Sequence, residues 1–353
     1  MEGGKLIGKG TYGCIFDPPL LCKKKQFDKG VIGKLSTTGD LERESNAFKV
    51  LQSIKESSQY FILPHASCTP RIIDNQVEND INKCDFLSRA DPSDLKQVAT
   101  EYGGNDLRKL NLKSKDSISF FTLMKQLLEA GSLMVLHGYV HYDIHAGNIV
   151  INNKNNAKLI DWGQSFSKNQ ISLESISERW KELVPEYSAE PPEVTFLTAI
   201  DYNNNYSFEE ALLQLMPKKR VLHTIEKILG VSLRTQLANL GTFFRTSQAF
   251  QQKDIIKIWK LYYPGFDAWG IGVVLLESLN ILMFSYEFIE SSEWKLKKAI
   301  AVDIIKKMLH TNPKERIDCV EALAMFDPVN EIYMSYGVEW VENRMKQRRV
   351  KKI

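Results

Sequence analysis

The sequence predicts an α+β fold, in which a strand-rich region with one helix is followed by a mainly helical region. The first hundred residues are short apolar runs separated by glycine, proline and asparagine, a pattern typical of strands and turns. From residue 117 onwards the apolar side chains recur at helical spacing, and Phe120, Leu123, Met124 and Leu127 fall on one face. With 353 residues, the chain is long enough for two packed lobes.

The strand-rich region has three further features. Residues 40–54 show a helical pattern in which Phe48 and Leu51 face the core, and residues 74–96 form a polar insertion between strands. Residues 98–104 are typical of a strand that ends in a flexible glycine pair, and we interpret them as the linker between the lobes. We therefore predict a first lobe, an antiparallel sheet with one helix, over residues 1–102.

The helical region contains two short strands, at residues 148–152 and 157–160, on either side of a polar turn. Helical patterns at residues 207–216 and 219–229 predict a helical insertion over about 194–262. The apolar stretch 269–286 is interrupted by Glu277, Ser278 and Asn280, so we expect a buried helix and no membrane span. Asp318 and Glu321 have the spacing of a capping box. The predicted second lobe covers residues 103–330, and residues 331–353 form a basic tail.

The composition is that of an ordinary globular protein, with 43% apolar and 25% charged residues. The formal net charge of +3 gives no strong case for nucleic acid as a partner. Residues 344–353 carry three arginines and three lysines, and we interpret this run as a solvated tail. The five cysteines lack the close paired spacing of a zinc site or a disulfide scaffold, and the first residues contain no apolar signal core. Both features favour a cytoplasmic protein in a reducing compartment.

A glycine-rich run, GKGTYGCI at residues 8–15, follows a short apolar strand. Glycines let backbone N–H groups approach phosphate oxygens closely, which makes the run a candidate phosphate-binding turn. A dinucleotide-binding fold needs a helix directly after its glycines, and Pro18 and Pro19 exclude one here. A plain glycine hairpin is the alternative. The candidate nucleotide contacts are Gly8, Lys9, Gly10, Thr11, Tyr12, Gly13 and Ile15.

Lys34 ends a short apolar strand, where its ammonium could reach the α and β phosphates of a nucleotide. A carboxylate from the following helix would hold that ammonium in place. Glu44 is the better candidate, because Phe48 and Leu51 lie four and seven residues later on the same face. Glu42 is the alternative, and either carboxylate could instead be an ordinary solvent-facing charge.

The most informative segment is VHYDIHAGNIV at residues 140–150, followed by LIDWG at residues 159–163. Asp143, Asn148 and Asp161 lie in turns bounded by buried strands. That is an unfavourable place for carboxylates unless a metal or a substrate compensates them. Phosphoryl transfer requires groups of this kind. The triphosphate must be bound, its charge must be offset by a metal ion, and the acceptor hydroxyl must lie in line with the bond that breaks.

These segments resemble motifs of the protein kinase superfamily. HYDIHAGN at residues 141–148 is similar to the catalytic loop H-R-D-L-x-x-x-N, and DWG at residues 161–163 is similar to D-F-G. The resemblance implies a two-lobed kinase-like fold that binds ATP and Mg²⁺, or Mn²⁺ in its place. It also implies that Asp143 orients the attacking hydroxyl and accepts its proton, while Asn148 and Asp161 bind two magnesium ions.

Three later segments extend the resemblance to about residue 325. PPE at residues 191–193 is similar to A-P-E, DAWGIG at 267–272 to D-x-W-S-x-G, and NPKER at 312–316 to N-P-x-x-R. In the family that arginine pairs with the A-P-E glutamate, which implies a buried ion pair between Glu193 and Arg316. Further nucleotide contacts implied by the resemblance are Thr100 as gatekeeper, Glu101 and Gly103 in the adenine-binding hinge, and Asn105 or Asp106 at the ribose.

Two positions depart from the family's pattern. Tyr142 replaces the arginine that gathers a phosphorylated activation loop in many kinases, so we expect no such switch here. His145 replaces the lysine of Ser/Thr protein kinases, and we retain it as a candidate catalytic residue. The form H-x-D-I-H-x-G-N is also similar to the aminoglycoside and choline phosphotransferases, whereas the three later segments are features of protein kinases.

We therefore predict an ATP-dependent kinase that transfers the γ-phosphate to serine or threonine hydroxyls of protein substrates. The alternatives are a small-molecule kinase and a kinase-like scaffold with little catalysis. The divergent catalytic loop and the insertion resemble kinases of large cytoplasmic DNA viruses, which would place the protein in a virion or a host cell. The sequence indicates neither an oligomeric state nor a physiological substrate.

Overall fold

The computed structural model describes residues 4–10, 13–24, 27, 30–64, 66–71, 78–179, 183–202 and 206–350. The predicted nucleotide contacts Thr11 and Tyr12 lie outside these ranges. The chain divides into two compact units. Unit 1 comprises Met1–Asn105, Val150–Asn153 and Lys158–Ser165, and unit 2 comprises Asp106–Ile149, Lys154–Ala157 and Phe166–Ile353.

Unit 1 contains a five-stranded antiparallel sheet in the order β1-β2-β3-β5-β4. The strands are β1 (Leu6–Gly10), β2 (Gly13–Phe16), β3 (Val31–Thr37), β4 (Ala66–Cys68) and β5 (Leu95–Glu101). Strand β3 pairs with β5 along its whole length, from Val31 opposite Glu101 to Thr37 opposite Leu95. The prediction of an N-terminal antiparallel sheet is confirmed.

Within the described residues of unit 1, three segments are α-helical: α1 (Thr38–Leu51), α2 (Ser57–Tyr60) and α3 (Glu78–Ile81). Helix α1 is the one that the sequence predicts. It begins where the Thr37 side chain accepts a hydrogen bond from the backbone N–H of Asp40, which satisfies one of the unpaired donors at a helix start. Its buried face includes Ala47 and Leu51.

Four of the five cysteines form disulfide bonds within unit 1, so the expectation that they form no disulfide scaffold is wrong. Cys14 is bonded to Cys84, and Cys22 is bonded to Cys68, while Cys319 is a buried free thiol. The bonded partners lie 70 and 46 residues apart, and spacing along the chain therefore does not reveal them. The cysteines therefore no longer support a reducing compartment, and the compartment itself stays a prediction.

Unit 2 is mostly helical. The elements from residue 105 onwards are β6 (Asn105–Asp106), α4 (Phe120–Leu136), β7 (Tyr139–Val140), β8 (Ile149–Ile151), β9 (Ala157–Leu159), β10 (Phe166–Ser167), α5 (Leu173–Arg179), α6 (Pro192–Leu197), α7 (Phe208–Glu210), α8 (Arg220–Leu229), α9 (Leu233–Thr246), α10 (Gln248–Gln251), α11 (Ile255–Tyr262), α12 (Phe266–Leu282), α13 (Tyr286–Glu290), α14 (Ser292–Met308), α15 (Cys319–Phe326) and α16 (Val338–Val350).

The core of unit 2 forms where α4 packs against α12 and α15. Helix α12 is buried on nearly all sides, as the apolar stretch 269–286 predicts. One helical run among the described residues, Ile255–Leu282, is long and apolar enough to span a membrane, and 83% of its most apolar window is buried inside the protein. The capping box of Asp318 and Glu321 at the start of α15 is also confirmed.

The C-terminal basic run differs from the expected solvated tail. Residues up to Val350 form α16, in which Arg344 lies 3.2 Å from the Asp318 carboxylate. Arg348 forms an ion pair with Glu321, and its Nη2 also donates to the backbone carbonyl of Arg316 at 2.7 Å. These two arginines therefore attach α16 to the start of α15, and the interpretation of a solvated tail is wrong for them.

Candidate active site

In unit 1 the ammonium of Lys34 lies between two carboxylates. It is bonded to Glu44 from α1, and its Nζ is 3.0 Å from Oδ1 of Asp161. The sequence favoured Glu44 over Glu42, and this pairing is confirmed; Glu42 is exposed. Burial lowers the pKa of Lys34, but the two carboxylates more than offset that effect and raise the pKa above its ordinary value. Lys34 is therefore a fixed cation.

The turn that carries Asp161 is anchored by the residue after it. The indole Nε1 of Trp162 donates to the backbone carbonyl of Ile62 at 2.9 Å, and the Trp162 ring meets Phe61 edge to face at 5.4 Å between centroids. Asp161 itself has a positive φ of 67°, a conformation that side chains other than glycine adopt at a cost. The surrounding packing thus holds a strained turn that aims the carboxylate at Lys34.

The strand register in unit 1 places several predicted nucleotide contacts on one face of the sheet. Ile15 lies opposite Lys34, and Thr100 lies opposite Ile32, two residues before Lys34. Residues directly opposite each other, and residues two apart on one strand, share a face. The side chain of Lys9 is used elsewhere, since its Nζ lies 3.3 Å from the Asp85 carboxylate. Only its backbone is then available to the predicted site.

Two glycines of the predicted nucleotide contacts have no room for a side chain. A Cβ on Gly13, which has φ of 155°, would lie 2.0 Å from the carbonyl oxygen of Leu35. A Cβ on Gly103 would lie 2.2 Å from Ile62 and 2.5 Å from Val150. Gly8 and Gly10 have ordinary space around them, so for these two the structure offers no steric reason for glycine.

Two charged residues among the predicted nucleotide contacts, Glu101 of the hinge and Asp106 of the ribose site, each have an ion-pair partner within their own unit. The Glu101 carboxylate is 2.5 Å from Nζ of Lys158 in unit 1. In unit 2, Asp106 lies 2.8 Å from Nζ of Lys109 and 3.3 Å from Nε of Arg108. Burial raises the pKa of Asp106, but hydrogen bonds from these two side chains outweigh it and lower the pKa below its usual value.

In unit 2 the predicted catalytic loop folds back on itself. The amide Nδ2 of Asn148 donates to Oδ2 of Asp143 at 3.1 Å and to the Asp143 backbone carbonyl at 3.0 Å. The ring Nε2 of His145 is 3.9 Å from Oδ1 of Asp143, and its Nδ1 accepts from the backbone N–H of Gly147 at 2.9 Å. Three of the predicted site residues, Asp143, His145 and Asn148, are thus brought together.

Asp267, at the start of α12, fixes the beginning of this loop. Its two carboxylate oxygens accept the backbone N–H groups of His141 and Tyr142, both at 2.8 Å. Burial raises the pKa of Asp267 to about 6, although these two hydrogen bonds act in the opposite direction. The motif around Asp267 was found in the sequence, but its role in positioning the loop was not.

Tyr142, which stands where many protein kinases have an arginine, lies in an aromatic cluster. Its ring lies 5.6 Å from Trp259, 5.7 Å from Phe166 and 5.9 Å from Phe266 between centroids, and its hydroxyl is 3.4 Å from Oε1 of Glu190. An uncharged ring in such packing offers no binding site for a phosphate. The expectation that this chain lacks the arginine-based switch stays a prediction.

Three functional candidates in the segment before α6 and in the insertion were missed by sequence reasoning. The Tyr187 hydroxyl donates a hydrogen bond to Oδ1 of Asp143. The buried ammonium of Lys219 donates to the Tyr187 backbone carbonyl at 2.6 Å and to Oγ1 of Thr195 at 3.1 Å. Oγ1 of Thr195 in turn donates to Glu190 at 2.6 Å. Lys219 lies between two basic residues, Lys218 and Arg220, a context that suggests a surface lysine, so no pattern in the sequence indicated its burial.

The predicted ion pair between Glu193 and Arg316 is confirmed. Two parallel hydrogen bonds of 2.8 and 2.7 Å join the guanidinium to the carboxylate, and the side chains are 0% and 1% exposed for Arg316 and Glu193. Arg316 also donates to the backbone carbonyl of His310 at 3.0 Å and lies over the Trp269 ring at 5.0 Å. The pair fixes the start of α6 to the segment before α15.

The donor chemistry of the predicted metal ligands fits magnesium. Because the nitrogen of the Asn148 amide is used by Asp143, its carbonyl oxygen is the atom that could bind a cation. Amide and carboxylate oxygens are ligands that Mg²⁺ accepts, with substrate phosphates completing the set. Within the described ranges no cluster of three or more His, Cys, Asp or Glu could hold a metal unaided.

Residues 93–189 match the family model described as the ABC1 atypical kinase-like domain. This match makes that part of the chain, 97 of the 353 residues, similar to a kinase-like domain. The matched range contains Thr100, Asp143, Asn148 and Asp161, and the family is part of the protein kinase-like superfamily. The predicted resemblance is thereby supported at the level of the superfamily, and the domain indicates a kinase-like phosphotransferase.

Proposed function

We propose that this chain is an ATP-dependent protein kinase that transfers the γ-phosphate of ATP to serine or threonine hydroxyls. The observation that carries the proposal is the Lys34 ammonium, bonded to both Glu44 and Asp161. These residues come from separate parts of the sequence. A cation held in this way is suited to bind nucleotide phosphates, which is what phosphoryl transfer requires of it.

In this proposal Asp143 is the residue that orients the acceptor hydroxyl and takes its proton. Its carboxylate accepts a hydrogen bond from the Asn148 amide, and Nε2 of His145 lies 3.9 Å from Oδ1. Asn148 and Asp161 would hold Mg²⁺, or Mn²⁺, whose charge would offset that of the β and γ phosphates.

The remaining nucleotide contacts are proposed along the sheet of unit 1. Backbone N–H groups of the glycine-rich run, residues 8–13, would meet the phosphates, with Ile15 against the nucleotide. Thr100 shares the sheet face of Lys34, which supports a place beside the adenine. Backbone groups of Glu101 and Gly103 would bind the adenine edge, and Asp106 the ribose.

Two features support a protein substrate over a small molecule. The buried pair of Glu193 and Arg316 and the Asp267 contacts to the catalytic loop belong to segments that resemble the peptide-binding platform of protein kinases. The second candidate, a small-molecule kinase, is favoured by the catalytic-loop form H-x-D-I-H-x-G-N alone. Proteins are therefore the proposed partners.

The test is to incubate the full chain with Mg²⁺ and ATP labelled at the γ-phosphate, and to offer casein and myelin basic protein in parallel with choline and an aminoglycoside. The proposal predicts label on serine or threonine of the proteins and none on the small molecules. Label on choline or the aminoglycoside alone would support the second candidate instead. A chain that binds ATP but transfers no label in any of these reactions would be a scaffold.

A further inference from the structure

The catalytic carboxylate of Asp143 has a hydroxyl of its own chain against it. Oδ1 of Asp143 accepts a hydrogen bond from the phenol of Tyr187, while Oδ2 accepts one from Asn148 at 3.1 Å. A base that takes a proton from an acceptor must lie within hydrogen-bond reach of that proton. The Tyr187 hydroxyl therefore occupies the position that an acceptor alcohol would take.

The backbone on both sides of this tyrosine is anchored. The carbonyl of Tyr187 accepts from Lys219 at 2.6 Å, and Lys219 is 0% exposed. The carbonyl of Ser188 accepts from the indole Nε1 of Trp269 at 2.9 Å, and the backbone N–H of Tyr187 donates to Val184 at 3.0 Å. Four independent contacts, including the one to Asp143, thus define where the phenol lies.

The Tyr187 ring remains accessible although its hydroxyl contacts Asp143. The residue is 36% exposed, and its ring meets only the edge of His145, at 6.5 Å between centroids, among the ring contacts described. A phosphate on this oxygen would carry a charge of about −1.5 to −2 and would lie beside the Asp143 carboxylate. Repulsion between the two would move the modified ring away, toward solvent.

We propose that Tyr187 is an intramolecular phosphate acceptor, a modification site that the chain's own active site phosphorylates. The inference rests on the proposed kinase function. In the reaction, the phenolic oxygen forms a bond to the γ-phosphorus of ATP, and the bond from that phosphorus to the bridging oxygen breaks. ADP leaves with the electron pair, and the phenolic proton passes to the Asp143 carboxylate.

Two consequences follow for kinetics. Because donor and acceptor are on one chain, the rate constant of Tyr187 phosphorylation is independent of protein concentration. Because the unmodified phenol competes with external alcohols for Asp143, transfer to casein by dephosphorylated protein begins with a lag. The lag ends as Tyr187 becomes phosphorylated, and Tyr187→Phe has none.

The experiment uses the full chain, treated first with phosphatase and then with Mg²⁺ and labelled ATP, over a tenfold range of protein concentration. Phosphopeptide mass spectrometry locates the label, and an Asp143→Asn chain mixed with wild type serves as a passive acceptor. Tyr286→Phe is the matched control, because Tyr286 is an exposed tyrosine of the same unit.

The expected result is label at Tyr187 with a concentration-independent rate constant, no label at that position in the Asp143→Asn chain, and unchanged labelling in Tyr286→Phe. Casein phosphorylation with Tyr187 unmodified would overturn the inference and leave the proposed function standing. Label at Tyr187 that appears equally on the passive chain would overturn it too. If neither casein nor Tyr187 is labelled, the proposed function fails and the inference fails with it.

Discussion

Replacing Glu193 by glutamine removes the charge that pairs with the buried guanidinium of Arg316 while keeping the side-chain shape. Both side chains are essentially inaccessible to water, so the cation left behind cannot be solvated. Breaking a buried pair in this way costs about 3–5 kcal/mol. We expect about 3 kcal/mol, the low end of that range, because the glutamine oxygen still accepts one of the two hydrogen bonds.

The matched control is Glu293→Gln, which removes a helical pair with Lys297. That pair has a similar distance, 2.8 Å, but its side chains are 46% and 40% exposed for Glu293 and Lys297. Such a pair contributes about 0.3–0.5 kcal/mol. Both variants remove one negative charge. The difference between their losses in free energy of unfolding therefore isolates the effect of burial.

Thermal unfolding, followed by tryptophan fluorescence, measures both variants. For a unit of this size, about 3 kcal/mol corresponds to a fall in Tm of roughly 6–12 °C, while the control shifts Tm by less than about 2 °C. Equal shifts for Glu193→Gln and Glu293→Gln would refute the reasoning that burial makes this ion pair a structural brace.

Three further predictions concern the charged groups of the two units. Glu44→Gln removes one of the two carboxylates that hold the Lys34 ammonium and lowers kcat/KM for ATP by about tenfold or more. Glu42→Gln, on the exposed side of the same helix, leaves kcat/KM unchanged, and equal effects of the two variants would contradict the assignment. Asp161→Ala removes a metal ligand and lowers Mg²⁺-dependent transfer by about a hundredfold or more, and a normal rate across a Mg²⁺ titration would argue against that role. Burial lowers the pKa of Lys219 from 10.5 to about 8, although Glu190 and other nearby carboxylates act to raise it. Between pH 8 and pH 10.5 the unfolded chain therefore binds more protons than the folded chain. The free energy of unfolding of the wild type should therefore rise with pH over that range relative to Lys219→Met, as chemical denaturation at about pH 8 and pH 9.5 would detect; parallel pH profiles would contradict it.

The parts of the fold that follow local rules were predictable. Helix α1 follows strand β3 directly, has Thr37 as its N-cap, and carries Leu51 at helical spacing. The buried helix α12 consists of an apolar run long enough for a core helix. The pairing of Lys34 with Glu44 followed from the shared face of Glu44 and Phe48. The pairing of Glu193 with Arg316 came from the family resemblance, because no local rule joins residues so far apart.

What could not be predicted depends on contacts between distant segments. The disulfide partner of Cys14 is Cys84 in the polar insertion, and that of Cys22 is Cys68 in strand β4; neither partner is marked in the sequence. Burial of Lys219 depends on acceptors supplied by Tyr187 and Thr195, which lie more than twenty residues earlier. The contact of Tyr187 with Asp143 is of the same kind, since a lone tyrosine between two motifs carries no signal.

In the proposed phosphoryl transfer from ATP, Asp143 accepts the proton of the acceptor alcohol. The most direct measurement is the steady-state rate of labelled γ-phosphate transfer to casein, at saturating Mg²⁺ and ATP, for wild type and Asp143→Asn, with Asp303→Asn as a surface control. Loss of a general base predicts a rate lower by about 10²–10⁴-fold in Asp143→Asn, with the control and the affinity for ATP unchanged. An Asp143→Asn chain that transfers phosphate at the wild-type rate would contradict the claim.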